Sequence, residues 1–144
     1  MKALIDTCVI IDYLQSREPF FDDGLNLAIG AANREYEAYI TASSMTDIYY
    51  LIHRNTHNDT STRVIINNLT VLFGLTDTYA EDCINAIHSN MTDYEDAVMI
   101  ETAVRTGMDC IVTRNTKDYQ NSSIPAKTPS EFLMLMEGKV KKNK

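Results

Sequence analysis

The chain has 144 residues, of which 44% are hydrophobic, and it carries a formal net charge of -7 at pH 7. This length and composition predict one domain with an ordinary buried core. We expect that domain over residues 1–136 and a short, basic, flexible tail over residues 137–144. The acidic balance disfavours nucleic-acid binding through a broad basic face. It does not exclude a nucleic-acid enzyme whose acidic site is neutralised by metal ions.

Three cysteines, an odd number, lie far apart in the chain and show no Cys-x-x-Cys or Cys/His ligand spacing. They predict neither a disulfide framework nor a structural zinc site, and they favour a reduced, intracellular setting. No apolar run is long enough for a signal sequence or a membrane span. We therefore expect a soluble, cytoplasmic protein that does not associate with membranes.

The first half of the chain alternates short apolar runs with stretches of helical periodicity. The first predicted strand ends at Asp6, and Ser43 or Ser44 is expected to cap a helix that carries Asp47 in its first turn. The predicted elements are, in chain order, a strand over 2–5, a helix over 8–14, a helix over 19–32, a strand over 37–41 and a helix over 45–52.

The second half continues this alternation. Thr92 is expected to cap a helix with Glu95 at the third helical position, a capping-box pattern, and Gly107 is expected to end that helix. Thr128 and Pro129 form the start signal of the last helix. The predicted elements are a helix over 63–72, a strand over 73–76, a helix over 79–87, a helix over 92–107, a strand over 109–113 and a helix from 129.

This order of elements predicts an α/β fold, a three-layer α/β/α sandwich with a mostly parallel central sheet. In such sheets the functional crevice lies at the carboxyl ends of the strands. Asp6 and the polar turn from Thr113 to Asp118 follow strands directly, and Asp47 lies one helical turn beyond another strand. Converging carboxylates repel one another unless a cation lies among them, so a divalent metal site is the leading hypothesis.

Each acid also has a purely structural explanation. Asp6 is suited to cap the following helix, and Asp47 is placed to stabilise its helix through the helix dipole. Asp93 and Asp96, three residues apart, are expected to share a helix face, whereas Asp118 is a residue type common in polar turns. No single acid is decisive, so the prediction depends on their arrangement along the whole chain.

Five motifs in order, spanning residues 2–134, resemble the PIN domain family. They are the segment Leu4 to Leu14, the acid Asp47 after the second strand, Asp93-Tyr94-Glu95-Asp96-Ala97, the segment Ile111 to Tyr119, and Thr128 to Leu133. The resemblance implies a compact α/β/α ribonuclease dependent on Mg²⁺ or Mn²⁺. It most often implies the toxin of a bacterial toxin-antitoxin pair of the VapC-like type.

The resemblance also implies roles for individual residues. The fourth acidic position stays open between Asn115, where family members often have an acid, and Asp118, and Asp47 stands where the family more often has Glu. The implied catalytic residues are Asp6, Asp47, Asp93, Asp96 and Asp118, with Asp6, Asp47 and Asp96 as metal ligands and Thr7, Thr113 and Asn115 in support.

The implied reaction is hydrolysis of phosphodiester bonds in single-stranded RNA, with one or two metal ions and with a 5'-phosphate and a 3'-hydroxyl as product ends. Mg²⁺ prefers oxygen ligands and keeps several waters, so a few carboxylates suffice. The implied partners are the RNA substrate, a second copy in a homodimer and a cognate antitoxin protein.

Two other interpretations of the same residues lead to different functions. A haloacid-dehalogenase-like phosphatase needs Asp-x-Asp after the first strand, but position 8 is Cys. A catalytically idle PIN-like module that binds protein or RNA stays open. Five tyrosines are candidates to stack on RNA bases or to pack half-buried, namely Tyr13, Tyr39, Tyr49, Tyr50 and Tyr119.

Overall fold

The computed structural model describes residues 1–143, except for the side chain of Val140. The described residues form five strands: β1 (Lys2–Ile5), β2 (Glu37–Thr41), β3 (Gly74–Thr76), β4 (Cys110–Val112) and β5 (Ala126–Lys127). They lie in one sheet in the order β3-β2-β1-β4-β5, and each neighbouring pair is parallel. All five carboxyl ends therefore lie at one edge, with β1 and β4 side by side near its middle.

Seven α-helices connect and cover these strands in the part of the chain that the structure describes. They are α1 (Thr7–Leu14), α2 (Phe21–Ala32), α3 (Met45–Thr56), α4 (Asp59–Leu72), α5 (Ala80–Ile87), α6 (Tyr94–Arg105) and α7 (Pro129–Lys142). Short 3₁₀ turns follow β2 over Ala42–Ser44 and β4 over Thr116–Tyr119. Among the described helices, none combines the length and apolar character that crossing a membrane requires.

The sheet has a packed core on each face, which confirms the predicted three-layer sandwich. Ala3 and Ile5 of β1 pack in the larger core with side chains of α1, α2, α3, α4 and α7. Leu4 points the other way and packs with Ile111 and with Met99 of α6. This alternation follows from the two-residue period of a strand, and it explains why Ala3, Leu4 and Ile5 are all apolar.

The start of α6 differs from the prediction. Asp93, not Thr92, is the N-cap residue, because its Oδ1 accepts a hydrogen bond from the backbone N-H of Asp96 at 2.9 Å. Asp is at least as good an N-cap as Thr, which explains why the helix begins one residue later than predicted. The shift by one residue removes Glu95 from the third helical position, and the predicted capping box does not form.

Two other helix boundaries also differ from the prediction. Helix α4 begins at Asp59, before the predicted start at residue 63, because the side chain of Asn58 caps it by accepting from Ser61 N-H at 2.8 Å. Helix α6 ends at Arg105, and Gly107 follows it with a φ of 70°, the left-handed conformation that favours glycine. Strand β5 was not predicted, since two residues are too few to show a periodic pattern.

The last helix begins as predicted and extends past residue 136. Thr128 Oγ1 accepts from Glu131 N-H at 3.2 Å, and Glu131 Oε2 accepts from Thr128 N-H at 2.9 Å. The helix continues to Lys142 and so includes most of the segment over residues 137–144 that we expect as a tail. Lysines in the last turn favour this extension, because they face the negative end of the helix dipole. Lys144, the last residue of the predicted tail, is outside the described residues.

Candidate functional site

Asp6 lies directly after β1, at the edge where the strands end. It is the N-cap residue of α1, yet its carboxylate accepts no hydrogen bond from a helix N-H. Its Oδ2 accepts from the hydroxyl of Thr113 at 2.8 Å and lies 3.4 Å from the hydroxyl of Tyr119. Only 9% of Asp6 is exposed. Capping, the structural explanation for this acid, therefore does not account for where its carboxylate points.

Asp96 lies in the first turn of α6, on the other side of the same tyrosine. The hydroxyl of Tyr119 donates to Asp96 Oδ1 at 2.9 Å. Tyr119 is 3% exposed and its ring belongs to the second core, so this tyrosine offers no surface on which an RNA base can stack. Burial and the negative charges of Asp6 and Asp96 raise the pKa of Tyr119 well above its ordinary range, so the hydroxyl stays protonated.

The surroundings of Asp96 favour its protonated form. Partial burial raises the pKa of the Asp96 carboxyl to about 6, although the hydrogen bond from Tyr119 opposes the rise. The negative charges of Asp6, Asp93 and Asp118 raise this pKa further. Acids from three separate segments of the chain thus act on one another electrostatically.

Glu95 reaches the same group of acids, which the sequence interpretation missed. The surrounding protein partly shields it from water and raises its pKa, and the charges of Asp47, Asp93 and Asp6 raise it further. The sequence pattern predicts instead that Glu95 forms a capping box with Thr92. The signal that could have corrected this is the pair Asp93 and Asp96, which has the spacing of an N-cap and the residue whose N-H it accepts.

The remaining predicted residues lie around this centre. Asp47 is exposed in the first turn of α3 and acts on Glu95, while Asp118 is exposed in the 3₁₀ turn after β4 and acts on Asp96. Asn115 opens that turn, and its backbone N-H donates to Thr113 Oγ1 at 3.1 Å. The Thr113 hydroxyl therefore accepts a hydrogen bond from the backbone of Asn115 and donates one to Asp6.

A buried ion pair fixes the turn that follows β4. Arg114 Nε lies 2.6 Å from Asp12 Oδ2, and Asp12 is 1% exposed. Those two atoms are not aligned as a hydrogen bond, but Arg114 Nη2 donates to Asp12 Oδ1 at 3.4 Å. The guanidinium also lies 4.2 Å from the centre of the Phe20 ring. These contacts tie the segment that carries Thr113 to α1, whose first residue follows Asp6.

The donor set suits a divalent cation in composition but does not form a complete cage. Among the residues described, no three His, Cys, Asp or Glu side chains are grouped closely enough to hold a metal ion. Asp6 Oδ1 and Asp96 Oδ2 accept no hydrogen bond from the described residues, and the hydroxyl of Thr7 is buried without a partner there. Mg²⁺ commonly uses one or two carboxylates and completes its shell with water and substrate phosphates, so Asp6 and Asp96 fit that need.

The fold and this acidic edge agree with the comparison with known families. The model of the PIN domain matches residues 2–117, and the chain therefore belongs to the PIN domain family. None of the curated proteins matches the chain significantly in sequence.

Three solved structures have a similar fold. VapBC2 from Rickettsia felis, bound to a DNA fragment from its promoter, has a TM-score of 0.67 and 12% identity, with 89% of this chain and 98% of that chain covered. A toxin-antitoxin complex from Klebsiella pneumoniae has a TM-score of 0.62 and 22% identity, with 88% and 97% covered. VapBC-1 from nontypeable Haemophilus influenzae has a TM-score of 0.65 and 13% identity, with 90% and 99% covered. At these identities the likeness shows a shared fold.

The raised pKa of Asp96 predicts how stability depends on pH. In the metal-free protein, the folded Asp96 carboxyl holds its proton up to about pH 6, whereas the unfolded chain releases it near 3.8. The folded state therefore binds more protons in this window, and the contribution of Asp96 to the free energy of unfolding falls as the pH rises through it. Asp96→Asn should remove that fall and be more stable than the wild type above pH 6, by about 1 kcal/mol after allowance for solvent screening.

Urea unfolding at pH 4, 5, 6 and 7 measures this difference. Asp109→Asn is the control, because Asp109 lies at the opposite edge of the sheet, where its Oδ2 accepts from Lys2 N-H. If the free energy of unfolding depended on pH equally in Asp96→Asn and the wild type, that result would contradict the raised pKa of Asp96.

Proposed function

We propose that this chain is a divalent-metal-dependent endoribonuclease that cleaves single-stranded RNA and is the toxin of a bacterial toxin-antitoxin pair. The observation that carries the proposal is the meeting of Asp6 and Asp96 at the carboxyl edge of the sheet, on either side of the Tyr119 hydroxyl. Membership of the PIN domain family supports a nuclease, and PIN domains generally depend on divalent metals.

The proposed ligands of Mg²⁺ or Mn²⁺ are Asp6, Asp47 and Asp96. Burial of Asp6 and partial burial of Asp96 lower the local dielectric, which strengthens their attraction for a cation. Glu95 joins this set as a further acid, since its pKa responds to Asp47 and Asp6. Asp93 adds negative charge, although one of its oxygens is committed to the helix cap.

Asp118 is the proposed fourth acid, in preference to Asn115. Its charge acts on Asp96, whereas Asn115 is a neutral amide at the start of the same turn. Asp118→Asn should then weaken metal affinity or cleavage, and Asn115→Asp should be tolerated or improve them. Unchanged cleavage by Asp118→Asn would return Asp118 to the role of a turn residue.

The chemistry follows from what the chain holds in place. When bound, a divalent cation polarises the scissile phosphate and makes a water molecule more acidic, which suits hydrolysis to a 5'-phosphate and a 3'-hydroxyl. Thr113 fixes the Oδ2 atom of Asp6, and Tyr119 fixes the Oδ1 atom of Asp96. Each carboxylate keeps its other oxygen free of hydrogen bonds from the described residues. The chain thus positions two ligand oxygens before substrate arrives.

A second candidate function is a catalytically idle PIN-like module that binds RNA or protein. The observation in its favour is that no three potential ligands are grouped closely enough to hold a metal ion in the described part of the chain. The nuclease requires substrate phosphates or small movements of Asp47 and Asp118 to complete the coordination. An idle module requires neither, and it would leave RNA intact at any Mn²⁺ concentration.

Asp6→Asn and Asp96→Asn should each abolish Mn²⁺-dependent cleavage of single-stranded RNA, because each removes a negatively charged ligand while preserving shape. Both variants should remain folded, since amide oxygens can still accept from Thr113 and Tyr119. A labelled RNA pool incubated with Mn²⁺, with and without EDTA, gives the readout. Asp109→Asn, at the opposite edge of the sheet, is the matched control and should cleave like the wild type.

Wild-type levels of cleavage by either site variant would remove that acid from the site. Loss of both folding and cleavage would make it a structural residue. Intact RNA with the wild-type chain over a full Mn²⁺ titration would favour the idle module.

The proposed partners are a second copy of the chain and an antitoxin with a basic segment. The three similar structures are toxin-antitoxin complexes, which supports an antitoxin partner. The net charge of -7 and the free carboxylate oxygens should attract arginine, whose planar guanidinium can bind a carboxylate through two hydrogen bonds. Such a contact would compete with the metal and inhibit cleavage.

The product of the adjacent reading frame should therefore form a salt-sensitive complex with the chain and suppress RNA cleavage. Light scattering of the purified chain, followed by cleavage assays with and without this product, measures both. A monomer at tens of micromolar would refute the homodimer. Full cleavage by the saturated complex would refute inhibition at the site.

A further inference from the structure

The hydroxyl of Tyr119 lies between the carboxylates of two proposed metal ligands. It donates to Asp96 Oδ1 at 2.9 Å and lies 3.4 Å from Asp6 Oδ2. We propose that Tyr119 is a positioning residue, whose hydroxyl holds Asp6 and Asp96 in the orientations that present their free oxygens to one cation. This inference rests on the proposed metal-dependent function.

The contacts of the hydroxyl are those of a ligand-orienting group. Its third neighbour, Met99 Sδ at 3.9 Å, is a weak acceptor, so the two carboxylates are its only strong acceptors among the described residues. A phenol has one proton and can satisfy one carboxylate fully at a time. Thr113 supplies the second donor, to Asp6 Oδ2 at 2.8 Å. Asp6 Oδ2 therefore lies within hydrogen-bond distance of both donors, whereas Asp96 Oδ1 accepts from Tyr119.

The buried position of the Tyr119 ring explains why its hydroxyl moves little. Tyr119 is 3% exposed and packs in the core beneath the acidic edge with Leu4, Met99 and Ile111. A side chain packed this tightly has lost its rotamer freedom, so its hydroxyl stays in place when the carboxylates move. Without that donor, two like charges in a partly buried site would turn away from each other.

The same 3₁₀ turn supplies both an acid and this hydroxyl. Asp118 and Tyr119 are neighbours in the turn over Thr116–Tyr119, with Asp118 exposed and Tyr119 buried. The turn thus places a charge on the outside of the site and a neutral donor beneath it. Phenylalanine at position 119 would fill the same core volume, so packing alone does not require the hydroxyl.

Tyr119→Phe isolates the hydroxyl, because it keeps the ring. Groups that hydrogen-bond to metal ligands typically contribute a factor of 10 to 100 to metal affinity, so we expect the Kd for Mn²⁺ to rise at least about tenfold. Mn²⁺ binding is measured on the full chain without RNA, from the electron paramagnetic resonance signal of free Mn²⁺ during titration. This readout does not depend on cleavage.

Tyr36→Phe is the matched control. Tyr36 is 6% exposed and its hydroxyl donates to the backbone oxygen of Leu27 at 2.7 Å, away from the acidic edge. Both variants lose one buried phenol hydrogen bond, so both should lose a similar, small part of their stability in urea. Only Tyr119→Phe should lose Mn²⁺ affinity, which a purely structural role would not produce.

The possible outcomes separate this inference from the proposed function. Mn²⁺ affinity in Tyr119→Phe equal to or tighter than that of the wild type would overturn the positioning role while leaving the metal site intact. Equal losses of affinity in both variants would likewise overturn it. Failure of the wild-type chain to bind Mn²⁺ would overturn both proposals. Mn²⁺ binding without RNA cleavage by the wild type would refute the nuclease alone.

Discussion

The repulsion between carboxylates at one edge of the sheet is the constraint on which the rest of the site depends. Asp6 and Asp96 are brought to the same tyrosine hydroxyl, and partial burial with neighbouring acids raises the pKa of Asp96 to about 6. In the metal-free protein, the raised pKa of Asp96 lowers the free energy of unfolding as the pH rises to about 6. Sites that strain the fold in this way are typical of functional positions, and a cation is the partner that would relieve the strain.

The fold tolerates this constraint because every element around it is held independently. Strands β1 and β4 are neighbours in the sheet and end in Ile5 and Val112, so Asp6 and Thr113 emerge side by side. The ion pair of Asp12 and Arg114 fixes the turn after β4. On the other side, Arg105 of α6 pairs with Asp82 of α5 at 2.9 Å, which ties the helix that carries Asp96 to its neighbour.

The sequence was informative where local pattern decides the structure. An apolar run ending in an acid placed Asp6 at the end of β1, and the alternation of elements predicted the three-layer sandwich. The sequence was uninformative where the structure depends on a one-residue shift in the start of a helix or on a contact between distant segments. The N-cap is Asp93 and not Thr92. Glu95 is therefore not in a capping box, and its pKa is raised by the neighbouring acids. The hydroxyl of Tyr119 meets Asp6 across 113 positions of sequence, a contact that no local pattern encodes.

The location of a bound metal ion tests the central claim most directly. Crystals of the wild-type chain soaked in Mn²⁺ and measured near the manganese absorption edge would show the ion by its anomalous scattering. We expect a peak about 2.1 Å from one carboxylate oxygen each of Asp6 and Asp96, the bonding distance of a small divalent cation. An anomalous peak elsewhere, or none at this edge of the sheet, would contradict the claim that these acids form a metal site.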